Sequence, residues 1–191
     1  MHCSAVAPPV LQGATMDDDD LLALTAYNVP EGDDHPAIVF QRLIEEDPHT
    51  HFKDEEIAVD FLYRIAPKIK AGRIVLGTMM LPTVQGQLKD LFEQMLAQWL
   101  GRMPHFICII DQEWWMQATP LQREALIFHE LLHVQQERDR YGDPKYDRDG
   151  NPVFALVGHD VEAFNLEVER YGAWKDDIAA FIAAAGRAPA A

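Results

Sequence analysis

The chain has 191 residues, 48% of them hydrophobic and 25% charged, which suits one globular domain with a sizeable core. Its net charge of −15 argues against direct nucleic-acid contact and against an anionic membrane surface, since both require a basic footprint. Two cysteines leave no room for a disulfide framework or a Cys-x-x-Cys metal site, and no stretch approaches the ~18 apolar residues of a membrane span.

The acidity is uneven. Residues 1–60 hold 14 acidic side chains against Arg42 and Lys53, whereas residues 61–191 hold 17 against 14 basic ones. Residues 1–35, with the aspartate run at 17–20 and Glu31-Gly32-Asp33-Asp34, read as an acidic, disordered leader. Residues 36–186 read as a single domain and 187–191 as a tail. The first 15 residues lack the basic start and continuous apolar core of a secretory signal, which points to a cytoplasmic protein.

In chain order, residues 37–46 suit a short helix ended by Asp47-Pro48. His49 and His51 follow in a polar stretch and read as a solvated loop. Asp54 then looks like an N-cap, and Ile57, Phe61 and Ile65 recur every four residues, which predicts an amphipathic helix over 55–66. Residues 73–81 (RIVLGTMML) are short, apolar and bounded by Gly72 and Pro82, a strand signal. Residues 86–101 suit a helix whose apolar stripe is Leu88, Leu91, Met95 and Trp99. Residues 106–110 (FICII) form a second strand, buried on both faces, with Cys108 as a buried thiol. Residues 111–117 make a short helical turn whose Trp114 and Trp115 pack under the core.

Thr119-Pro120-Leu121-Gln122 is a strong helix start: threonine as N-cap, proline in the first turn, and glutamine completing a capping box. The helix is expected to reach about Asp139, with Leu121, Ala125, Phe128 and Leu132 inward. It carries His129-Glu130-Leu131-Leu132-His133, an HExxH pattern. Histidines four apart share a helix face, so both imidazoles can reach one metal ion while the glutamate reaches its water. Roughly 0.02 such matches arise by chance in a chain of this composition, so the neighbours must carry the case. Asp147, Asp149 and Asn151 alternate like a calcium loop, but Pro152 and Gly158 stand where that loop needs Gly and Glu. Turn chemistry is the better account, with a hairpin limb over 152–157. Gly158-His159-Asp160 then opens the last helix, with Asp160 as its cap and Val161, Phe164, Val168, Tyr171, Ile178 and Phe181 as its stripe; Gly172 can interrupt it.

A catalytic zinc takes three protein ligands and keeps one position open. A third ligand at Asp139 lacks the glycine turn it would need, since position 136 is Gln136. His159 is the preferred third ligand, because a glycine precedes it and a capped helix follows. Glu162, one turn further on, is the alternative ligand or a group holding a ligand ring. Asp160 is a candidate acceptor for a ligand N–H. Glu130 becomes general base and then acid for a metal-activated water, and Tyr141, Tyr146 and Tyr171 are candidate oxyanion donors.

Arg123-Glu124-Ala125-Leu126, the HExxH pattern, Gly158-His159-Asp160-Val161-Glu162-Ala163-Phe164 and Arg170-Tyr171-Gly172-Ala173-Trp174 together resemble the family of putative phage metallopeptidases, over roughly 55–175. The later histidine and glutamate are also similar to SprT-like proteases, which use a downstream histidine as third zinc ligand; Ala163 departs from their tighter spacing. The resemblance implies an α/β (α+β) fold of zincin type, a small mixed sheet packed on the HExxH helix and a C-terminal helix. It implies one Zn2+, a peptide or protein substrate, and a phage or host cytoplasm as its setting. The rival expectation is a non-catalytic, zinc-stabilised protein that binds a host or phage partner.

Overall fold

The computed structural model describes residues 26–161, 165–173 and 176–187. Its centre is a four-stranded sheet in the order β1-β2-β6-β5: β1 (Tyr27–Asn28), β2 (Val59–Arg64), β6 (Phe106–Asp111) and β5 (Gly77–Met80). The central pair β2 and β6 is parallel, from Val59 opposite Phe106 to Arg64 opposite Asp111, and both edge strands are antiparallel. Helices cover both faces, so the fold is α+β with a small mixed sheet, as the sequence implied.

One face carries the main core. Val59, Phe61 and Tyr63 of β2 and Phe106, Cys108 and Ile110 of β6 meet α1 (Pro36–Leu43), through Phe40, and α5 (Pro120–Leu132), through Ile127 and Leu131. Trp115, from α4 (Gln112–Gln117), lies under this core and donates its ring N–H to the Asp34 carbonyl at 2.9 Å. Alternate residues Leu62, Ile107 and Ile109 face the other way, onto Phe92, Leu96 and Leu100 of α3 (Lys89–Leu100). Two covered faces are what the continuous apolar run at 106–110 required. Cys108 is the buried thiol expected there, and burial pushes its pKa well above the ordinary value.

Several elements differ from the sequence expectation. Residues 55–66 are not a helix; α2 (His51–Asp54) is a single turn, and β2 follows. A spacing of four is also twice a spacing of two, so Ile57, Phe61 and Ile65 fit a strand as well as a helix, and pairing with β6 decided it. The apolar stretch 73–81 breaks into β4 (Arg73–Ile74), paired with β3 (Ile69–Lys70), and β5. Leu88, Leu91, Met95 and Trp99 are exposed, because α3 presents its neighbouring stripe to the sheet. Tyr27 and Asn28, assigned above to the leader, pair with Arg64 and Tyr63 at the sheet edge.

The motif helix also ends early. Its capping box forms as read, with Gln122 N–H donating to Thr119 Oγ1 and Thr119 N–H to Gln122 Oε1. His133 is already the C-cap, and the chain turns into β7 (Val134–Gln136), which pairs with β8 (Phe154–Leu156). Val134 is fully buried, and Val157 N–H donates to the His133 carbonyl at 2.7 Å. This hairpin therefore takes over the backbone where the helix was expected to continue to Asp139. The inward residues are Ile127, Glu130 and Leu131, while Leu121, Ala125, Phe128 and Leu132 lie outward. At the hairpin tip Asp147 Oδ1 accepts from the N–H groups of Asp149 and Asn151, so turn chemistry accounts for the alternating acids. Among the described residues no helix is long and apolar enough to cross a membrane.

Candidate metal centre

The motif helix, its abrupt end and the chain leaving the hairpin bring three histidines together. His129 and His133 stand one turn apart near the end of α5, with ring centroids 5.1 Å apart. The β7–β8 pairing returns the chain to the end of this helix, and His159 follows two residues after Val157. Its ring centroid lies 5.0 Å from that of His129 and 4.7 Å from that of His133. One nitrogen from each ring falls within 4.8 Å of the other two.

The geometry suits a single ion. His159 Nε2 and His129 Nε2 are 3.1 Å apart. Two nitrogens bound tetrahedrally at ~2.0–2.1 Å from zinc stand about 3.3 Å apart, so this edge is close to a coordination edge. His133 donates Nδ1–H to the Val157 carbonyl at 2.7 Å. That bond leaves its Nε2 as a lone pair and orients the ring, the support a metal-ligating histidine commonly has. The acceptor for His133 is therefore a carbonyl that the sequence reading had not picked out, rather than Asp160, which lines the same cavity. Burial, followed by the neighbouring rings of His133 and His159, lowers the His129 pKa. Neutral imidazole, the form that binds a metal, is favoured accordingly.

The triad opens into a cavity of about 790 Å³ whose walls include Val161, Val168, Ile178, Phe181 and Ile182. Val168 comes from α6 (Asn165–Tyr171) and the last three from α7 (Asp176–Ala185), the two helices being separated at Gly172 with φ 66°. Glu162, the alternative ligand, lies outside the described residues, as does Phe164. Tyr141, Tyr146 and Tyr171 are exposed, and Tyr146 faces a different hollow beside His49 and His51.

Glu130 points elsewhere than its exposed neighbours. It is 4% exposed, and its Oε2 accepts the Met79 N–H of β5 at 2.8 Å. Burial raises its pKa, while the His133 ring and the Met79 N–H oppose that shift. The approach to β5 was not read from the sequence, although a lone glycine inside an apolar strand, Gly77, is a known sign of a close neighbour.

A sequence model of the family described as putative phage metallopeptidases matches residues 34–185. The chain belongs to that family. The match takes in α1, the whole sheet apart from β1, the motif helix and the three histidines. No curated protein and no solved structure matches the chain. A metallopeptidase needs a metal ion and a peptide as substrate. Three imidazoles whose nitrogens lie within 4.8 Å of one another could hold such an ion, and the cavity beside them, about 790 Å³, is of a size to admit side chains.

Proposed function

We propose that this phage metallopeptidase is a zinc-dependent peptide hydrolase in which His129, His133 and His159 hold one zinc ion and Glu130 is the general base. The convergence of three imidazole nitrogens on one point, with Glu130 on the same helix, carries the reading. When bound, zinc supplies Lewis acidity towards a scissile carbonyl and acidifies water in the site.

The chain's own groups do the rest. His129 and His133 come from a helix locked by its capping box, and His133 is further fixed by the Val157 carbonyl. Glu130 takes a proton from the attacking water and returns it to the leaving amine. Burial favours a raised carboxyl pKa, which brings its proton affinity nearer to neutrality and suits both directions of transfer. The apolar walls of Val161, Val168 and Ile178 take up substrate side chains and exclude water.

The test combines metal content with turnover. Purified protein should carry one zinc per chain and cleave members of a broad peptide library. Glu130→Gln should keep the zinc and lose hydrolysis. A wild-type chain that holds one zinc and cleaves nothing would instead be a zinc-stabilised binding protein. Full zinc retention by His159→Ala would remove His159 from the ligand set.

A further inference from the structure

Glu130 must hold its carboxylate at a definite place, yet nothing on its own helix fixes it. The fixing groups lie on β5, an edge strand of the sheet. Asp111 N–H donates to the Leu76 carbonyl at 2.8 Å. Ladder bonds alternate along an antiparallel pair, so Leu76, Thr78 and Met80 turn their backbone to β6 while Gly77 and Met79 turn theirs outward. The Met79 N–H meets Glu130 Oε2. At Gly77, a Cβ would stand 2.3 Å from Glu130 Oε1, 2.8 Å from its Cδ and 3.0 Å from its Cγ. The carboxylate occupies the volume that any other residue would fill.

Backbone conformation does not demand this glycine. Gly77 is an extended strand residue paired with Ile110, and it is not among the residues with positive φ. What demands it is space. We infer that Gly77 is a positioning residue: its missing side chain and the Met79 N–H together form a cradle that sets the Glu130 carboxylate. The catalytic half of this inference rests on Glu130 being the general base; the contact itself does not.

Gly77→Ala tests it. The atoms that the new methyl meets belong to the far end of a flexible side chain, so the strand can stay in place while the carboxylate swings away. Turnover should fall roughly 10²-fold, the scale of a misplaced catalytic group, with KM and zinc stoichiometry unchanged. A second readout needs no activity. Gly77→Ala should lower the thermal midpoint in the wild-type chain. In a Glu130→Ala background it should leave the midpoint level or raise it, since alanine restricts the unfolded chain and meets no carboxylate. Folding of Gly77→Ala only in the Glu130→Ala background would support the cradle equally. Wild-type turnover in Gly77→Ala, equal thermal losses in both backgrounds, or failure to fold in both would overturn it. If the wild-type chain cleaves no peptide, the proposed function fails, and the thermal comparison still decides the contact.

Discussion

Two groups of histidines flank the motif helix, and they are used in opposite ways. His129, His133 and His159 turn their nitrogens towards one another at a cavity. His49 and His51 lie around the helix on the side of Phe128. They were expected to be solvated, but His49 is 1% exposed. Its ring meets Phe128 edge-to-face at 4.6 Å, and the His51 ring stacks on Phe154 at 5.6 Å and 15°. The His51 Nδ1–H even donates to the Pro48 carbonyl at 3.1 Å, as His133 does to Val157. What separates the groups is the number of donors that converge. Among the described residues only the triad brings three metal-binding atoms together. The other pair spends its rings on aromatic packing, and burial followed by the charge of His51 lowers the His49 pKa to about 4.

The sharpest way to break this contrast is to remove the imidazoles of the triad one at a time. His129→Ala, His133→Ala and His159→Ala should each lose the zinc and reduce hydrolysis to background, whereas His49→Ala and His51→Ala should keep the ion; metal analysis of the five variants decides it. Next in size, Glu130→Gln should lower turnover by roughly 10²- to 10⁴-fold with the zinc retained, measured on the best substrate of the library.

A third prediction concerns the buried His49 and acid. His49 titrates at about 4 in the folded chain against 6.5 ordinarily, so the unfolded chain takes up the proton first as pH falls. Its contribution is complete above pH 6.5 and is lost on the way down to pH 4. Urea midpoints of wild type and His49→Leu, both stripped of metal, should diverge across that window. Parallel curves would mean that His49 is hydrated. A smaller effect is expected at the stack: Phe154→Leu should cost about 1 kcal/mol at neutral pH without altering zinc content. Smallest of all, millimolar calcium should leave the thermal midpoint unchanged, because Asp147 is occupied with the turn N–H groups of Asp149 and Asn151.

The features legible in the sequence are those set by neighbours in the chain. The capping box joins Thr119 and Gln122, three positions apart, and the turn joins Asp147 and Asn151, four apart. The one-turn spacing of His129 and His133 is likewise a property of helical pitch. Strand 106–110 was legible because an unbroken apolar run of that length suits a strand covered on both faces. The misread elements are those where two local answers were equally good. Ile57, Phe61 and Ile65 satisfy both periods, and α3 and α5 each carry two apolar stripes, of which packing selects one. His49 looked like a loop residue because polar neighbours surround it in sequence, whereas Phe128, far along the chain, buries it.

The sequence by itself determined that this chain holds two imidazoles and a carboxylate on one well-started helix, and its motifs determined the family. Tertiary structure decided the rest of the candidate site. It ended the helix at His133 by pairing β7 with β8, brought His159 against His129, and set Glu130 beneath Gly77 and the Met79 N–H. The physical reason is range. Caps and helical periodicity act within a turn or two of chain, while the contacts that complete the site join residues 24 to 51 positions apart, where only packing of the sheet, helix and hairpin can bring them together.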